Sequence, residues 1–168
     1  QLSVGDFFRM VSGPMRAAAA REPLFEKLGY REKTDEVAGV LETAGLPDLA
    51  VFETIAEKCG VEPSAVDLLV APTSSQAGNV QVVARSAETA LHKLFELGFD
   101  VTRIVSGFGS EPLPPVASDD LGGIGRTNDA VLYGATVTLW VHGDDDSLAE
   151  IGPKVPAMAS DCYGQPFL

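Results

Sequence analysis

Gln81, Arg85, Glu88 and His92 are the residues of this chain best spaced to do chemistry together. Val80 to Leu97 reads as one long helix stopped by Gly98. Its apolar stripe is Val83, Ala84, Ala87, Ala90, Leu91, Leu94, Phe95 and Leu97, and the four polar side chains fall along one flank. Arg85 and Glu88 are then neighbours at i, i+3. A guanidinium in that position can hold a carboxylate in one rotamer for acid–base work. An ordinary surface salt bridge, worth at most ~1 kcal/mol, has the same spacing. His92 alone on a polar flank fits a solvated imidazole better than a catalytic one.

Three loops could touch a ligand. Ala71-Pro72-Thr73-Ser74-Ser75-Gln76-Ala77-Gly78-Asn79 joins the end of a strand to the start of a helix, where free N–H groups face an anion or carbonyl. No Gly-Lys-Ser/Thr follows, so it is not a P-loop. Ser12-Gly13-Pro14-Met15-Arg16 repeats the logic, with Arg16 inside a helix start that Ser12 would cap. Gly122-Gly123-Ile124-Gly125-Arg126-Thr127-Asn128-Asp129 reads as a glycine-rich turn before a strand, which is wrong for a nucleotide fingerprint. In all three, capping and turn formation compete with ligand binding. No Ser/His/Asp, Cys/His or metal-ligand pattern stands out. Cys59 and Cys162 offer no disulfide framework and read as reduced thiols.

The elements that would hold these residues alternate between strand and helix. Leu2–Phe8 reads as a short strand, followed by helices at Met15–Ala20 and from Pro23 to a stop at Gly29. Glu36–Glu42 is a predicted strand, and Pro47 opens a helix with Leu49, Phe52, Ala56 and Cys59 as its apolar stripe and Gly60 as its stop. Ala65–Ala71 reads as a buried strand, Asp100–Ser106 as another, Gly107–Gly125 as an ordered loop, and Ala130–His142 as the last strand. Asp144-Asp145-Asp146 reads as a solvated turn, with one helical turn at Leu148–Ile151. The class is α/β, with helices packed on a mixed β-sheet.

Composition narrows the partners. The 45% apolar fraction over 168 residues supports a real core and excludes a disordered chain. Twelve basic residues against 24 acidic ones give a formal charge of −12, which argues against a nucleic-acid binder. The first 34 residues carry +2 and the other 134 carry −14, so a ligand with both cationic and anionic parts would suit the molecule. No apolar run approaches the ~20 residues that span a membrane, and no signal peptide is visible. The expected location is the cytoplasm. The chain begins at Gln1 without Met and stops at Phe167-Leu168, so both ends are expected to be cut.

Six segments follow one another in a familiar order: Ser12-Gly13-Pro14-Met15-Arg16-Ala17, Glu22 to Tyr30, Leu69 to Thr73, Val82 to Ala90, Gly125 to Gly134, and Tyr163-Gly164-Gln165-Pro166-Phe167. Together, over essentially the whole chain, they resemble the methenyltetrahydromethanopterin cyclohydrolases of archaeal methanogenesis and bacterial methylotrophy. The resemblance is to the central part of that family's polypeptide. It implies a two-domain α/β fold, a homo-oligomer, a pterin substrate bound between the domains, and no required metal or other cofactor.

The resemblance also implies that Arg85 and Glu88 are the catalytic pair. Ser12, Gly13, Arg16, Thr73, Arg126, Thr127 and Asn128 are the candidate substrate contacts, expected to converge on one cavity with it. The implied reaction adds water to an already electrophilic methenyl carbon and opens one C–N bond to leave a formyl group. A carboxylate can take water's proton and return it to the departing nitrogen, a kind of catalysis worth ~10²–10⁴-fold. Two other readings stand beside it: a non-catalytic pterin-binding or assembly module, and a hydrolase with Cys59 or Cys162 as nucleophile.

Overall fold

The computed structural model describes residues 2–4 and 7–168, with Phe7 and Phe8 described by their backbone alone. The chain forms two compact units, Gln1–Pro72 and Thr73–Leu168. Helices and a mixed sheet confirm the α/β class.

In the first unit, the strand expected over Leu2–Phe8 is instead two short strands, β1 (Leu2–Val4) and β2 (Phe7–Arg9), paired antiparallel; Gly5 and Asp6 lie outside the described residues. β3 (Val11–Ser12) runs into a tight turn at Gly13, φ 95°, and then α1 (Met15–Ala19). The turn passes so close to the next strand that a Cβ on Gly13 would lie 3.0 Å from the Gly39 Cα, so only glycine fits. Ser12 is therefore a buried strand residue opposite Val40, and the N-cap position of α1 is Pro14, which supplies no side-chain cap. α2 (Pro23–Leu28) begins on its proline and stops at Gly29, as its sequence predicts.

β4 (Val37–Glu42) turns Val37, Gly39 and Leu41 inward. α3 (Leu49–Cys59) is capped by the Asp48 carboxylate, which accepts from the Val51 N–H, and ends at Gly60. Its inner face is Val51, Ile55, Ala56 and Cys59; Leu49, expected on the stripe, is exposed because it precedes the first complete turn. β5 (Val66–Ala71) pairs parallel with β4, and β3 pairs antiparallel on β4's other side. As an edge strand β5 is only half buried, with Leu69 pointing out, which corrects the reading of a buried strand. α1 and α3 cover the sheet's inner face around one apolar cluster.

The second unit departs further from expectation. The single helix over Val80–Leu97 is two helices, α4 (Gln76–Val83) and α5 (Ser86–Glu96), the first starting four residues early on a Ser75 cap. The strand at Asp100–Ser106 is displaced: Val101–Arg103 form a 3₁₀ turn and β6 is Ile104–Ser110. The loop read over Gly107–Gly125 gives up its ends to β6 and to α6 (Asp120–Asp129), so Gly122–Asp129 are helical rather than a turn. A π-helical turn at Ala130–Gly134 replaces the first part of the last strand, leaving β7 (Thr136–Val141). Asp144 caps α7 (Asp145–Ile151), which makes the aspartate run a helix start. β6 and β7 pair antiparallel, and α5 packs on them. Among the described residues, no helix is long and apolar enough to cross a membrane.

Candidate active site

The break between α4 and α5 falls on Arg85. Its N–H reaches Val82 O at 3.1 Å, one residue short of the α-helical partner, and its backbone sits at φ −105°, ψ 23°. No proline or glycine marks the break. What meets it is β6: a Cβ on Gly109 would lie 2.4 Å from the Ser86 Oγ and 3.1 Å from the Ala87 nitrogen. Ser86 is buried under that strand, so the first turn of α5 is seated on β6.

The break does not separate the expected pair. Arg85 Nε donates to the Gln81 carbonyl at 2.9 Å, and Arg85 Nη2 lies 3.4 Å from Gln81 Oε1. Arg85 Nη1 then stands 3.7 Å from Glu88 Oε2, and His92 Nε2 stands 3.6 Å from Glu88 Oε1. Both separations are too long for hydrogen bonds, and only the first joins two groups of opposite charge whatever the state of the imidazole. Glu88 lies in the first turn of α5, where unpaired N–H groups favour a carboxylate. The flank read from the sequence is thus assembled in space, with the Glu88 carboxylate between a guanidinium and an imidazole.

A second group gathers around α6. The Asp119 carboxylate caps the helix by accepting from the Gly122 N–H at 2.8 Å; that bond, then one from the Ser118 hydroxyl, holds its pKa below the usual value. Asp120 Oδ1 accepts from both the N–H and the hydroxyl of Ser74, at 2.9 and 2.6 Å. Gly123 lets the helix approach that loop, since a Cβ there would lie 2.9 Å from the Thr73 carbonyl. Thr73 is buried at this contact.

The candidate contacts on α6 have internal partners. Arg126 Nη1 donates to the carbonyls of Pro115 and Val116, at 3.2 and 2.9 Å. The buried Thr127 hydroxyl donates to Gly123 O at 2.9 Å, and Asn128 Nδ2 donates to Ile124 O at 2.8 Å. The final motif docks here as well. Asp129 Oδ1 accepts from the Phe167 N–H at 2.9 Å, and the Tyr133 hydroxyl donates to Gln165 O.

Ser12, Gly13 and Arg16 form a third group, in the first unit. Arg16 grips Glu22 through two bonds of 2.7 and 2.6 Å, so the first two family-like segments are tied together by a bidentate ion pair. Cys59 is buried nearby, its Sγ 3.5 Å from Met15 O. Burial raises its pKa, outweighing the opposing charges of Arg31 and Lys58, which is the reverse of an activated nucleophile. Among the described residues, no three His, Cys, Asp or Glu side chains gather as a metal site.

One acidic group escaped the sequence reading. Glu111 follows β6 in the Gly/Pro-rich stretch, where nothing distinguishes it from a solvated loop residue. Both its carboxylate oxygens are buried without a hydrogen-bond partner, and desolvation pushes its pKa up to about 7. The Oδ1 of Asn79 is likewise buried without a partner, while its Nδ2 donates to Pro114 O at 2.8 Å.

The chain is 54% identical over 99% of its length to a methenyltetrahydromethanopterin cyclohydrolase of Rhodopirellula baltica, covering 51% of that protein. A protein of the same name from Methylophilus methylotrophus is 44% identical, with 99% of this chain and 94% of the relative covered. One from Methanococcoides burtonii is 41% identical over 99% of this chain and 53% of the relative. The chain spans about half the length of most of the curated relatives it matches. The cyclohydrolase (MCH) family model matches residues 1–168, and the chain belongs to that family.

Proposed function

We propose that this chain supplies the acid–base pair of a cytoplasmic enzyme that hydrolyses methenyltetrahydromethanopterin to formyltetrahydromethanopterin in one-carbon metabolism. The observation that carries the reading is the Glu88 carboxylate, held between Arg85 and His92 on a helix turn braced by β6. The names of the relatives supply the substrate. Their resemblance also supports a homo-oligomer, which sedimentation of the complete protein would test.

The methenyl carbon belongs to an amidinium-like cation and is electrophilic as it stands, so the proposed route uses no metal. Water adds through its oxygen, and its proton passes to Glu88, leaving a neutral hydroxyl adduct. Glu88 returns that proton to the ring nitrogen, whose bond to carbon breaks as the carbonyl forms. Arg85, anchored on Gln81, keeps the carboxylate from rotating away. Ser12, Gly13, Arg16, Thr73, Arg126 and Asn128 are proposed as substrate contacts, with Thr127, enclosed and bonded within α6, holding the helix that presents Arg126 and Asn128.

Glu88→Gln in the complete protein keeps the shape and removes the base. Turnover, followed as loss of methenyl absorbance, should fall ~10²-fold or more, with substrate affinity within a few-fold. Arg85→Ala should also lower turnover, through lost orientation. Near-native turnover in Glu88→Gln would overturn the reading. Pterin binding without turnover in the unaltered protein would favour a binding module instead.

A further inference from the structure

The proposed hydrolysis leaves one proton over. Methenyl cation plus water gives a formyl group, a ring N–H and H⁺. Glu88 accounts for the proton that moves from water to nitrogen. The adduct's hydroxyl proton, water's second, is lost as the carbonyl forms and passes to the freed carboxylate. Glu88 must shed that proton before it can act as a base again.

The two neighbours just described differ in their capacity to take it. Arg85 faces Oε2, and a guanidinium has donors but no acceptor, so it can orient the carboxylate but cannot accept from it. His92 faces Oε1, and imidazole is the side chain that exchanges protons near neutral pH. His92 is also more open than the group it would serve, with 43% of its side chain exposed against 30% for Glu88. The 3.6 Å gap sits between residues one turn apart on α5, where a small rotamer change closes it; catalytic contacts are often this long in a free enzyme.

We propose that His92 resets Glu88: the proton passes from Glu88 Oε1 to His92 Nε2, and the imidazolium releases it to solvent. No bond other than the two N–H and O–H bonds changes, and the net product is the one proton the hydrolysis must release. His92 acts through Glu88 and touches no substrate, so it is a positioning and relay residue. The inference rests on the acid–base role proposed for Glu88.

The test uses the complete protein in weak buffer. His92→Ala should lower kcat ~10-fold with KM within ~2-fold, and added imidazole should restore kcat in proportion to its concentration. His92→Gln, whose amide can still donate to Glu88 but cannot take up and release a proton, should show the same loss and the same rescue. Unchanged kcat in both variants, or a loss that imidazole does not repair, would overturn the relay. If Glu88→Gln is inactive while His92→Ala is near native, the relay alone fails. If Glu88→Gln itself turns over normally, the acid–base reading fails and takes the relay with it.

Discussion

Among the described residues, Leu41 and Val51 are the largest fully enclosed side chains of the first unit; in the second they are Asn79 and Thr127. The difference runs through both regions. The first unit closes on a continuous apolar cluster from Leu2 to Val66, joined by Met15, Ala18, Val37, Ile55, Ala56 and Cys59. The second buries Leu94, Phe99, Val101 and Ala117, but also Thr73, Asn79, Ser86 and Thr127. Its parts are joined by side chains that bond to backbone: Asn79 to Pro114, Arg126 to Pro115 and Val116, Asp129 to Phe167. Apolar burial is non-directional and tolerant of small shifts. Polar ties are directional, and they fix where a loop or helix end must lie. The catalytic candidates belong to the directional half.

The largest test of that contrast is Leu41→Ala. Leu41 is fully buried on the middle strand of the first unit's sheet, so its loss removes transfer energy and leaves a cavity. The expected cost is ~2–5 kcal/mol. Hydrogen exchange should show it as lost protection in β4, β5 and α3. A cost under ~1 kcal/mol would mean that the apolar cluster is not what holds this unit.

The same contrast explains what could be read beforehand. In the first unit, β4 and α3 fall where periodicity puts them because burial there follows the apolar pattern, while α2, which buries no residue, follows its Pro23 and Gly29 punctuation. In the second, the α4–α5 break coincides with Ser86 under Gly109, a contact between residues 23 positions apart that no local pattern announces. Gly122, Gly123 and Gly125 looked like a flexible turn, yet α6 forms through them because Asp119 caps it and Gly123 must pass the Thr73 carbonyl. Arg85, Glu88 and His92 were legible as a group because their spacing survives the break. Glu111 was not legible, since its burial comes wholly from tertiary packing.

Glu111 offers the next test, because an unpartnered buried carboxyl is a cost the first unit does not show among its described residues. Its folded pKa of about 7 lies above its ordinary value of 4.5. Below pH 4.5 both folded and unfolded chains hold the proton, and the protein is spared the cost. As pH rises toward 7 the unfolded chain releases the proton first, so stability falls, levelling off above the folded pKa. Glu111→Gln should remove this slope, leaving the variant more stable than the parent at pH 8 by on the order of 1–3 kcal/mol and little changed at pH 4.5. Asp119 and Asp144, lowered chiefly by backbone N–H bonds, work in the other direction and lose their contribution in acid. Denaturant midpoints measured from acid to pH 8 would separate the two, since the aspartates act below their ordinary value of 3.8 and Glu111 between 4.5 and about 7. An unchanged slope in Glu111→Gln would place the titrating group elsewhere.

The smallest effect isolates one polar tie at constant volume. Thr127→Val keeps the shape of a fully buried side chain and deletes only the hydroxyl, which donates to Gly123 O at 2.9 Å and lies 3.1 Å from Ile124 O. Those carbonyls belong to α6 and have helical N–H groups available, so losing the extra donor does not strand them. The expected cost is therefore that of a single net hydrogen bond, ~0.5–1.5 kcal/mol, well below that of Leu41→Ala. Thr127→Ala adds a cavity where the methyl group was, and should cost more than Thr127→Val. If the valine variant proved the costlier, the hydroxyl would be carrying the packing of α6, and the polar account of the second unit would sharpen. If the valine variant were neutral and the alanine variant cost ~2 kcal/mol or more, Thr127 would be acting as an apolar residue. The two units would then be held by the same force after all.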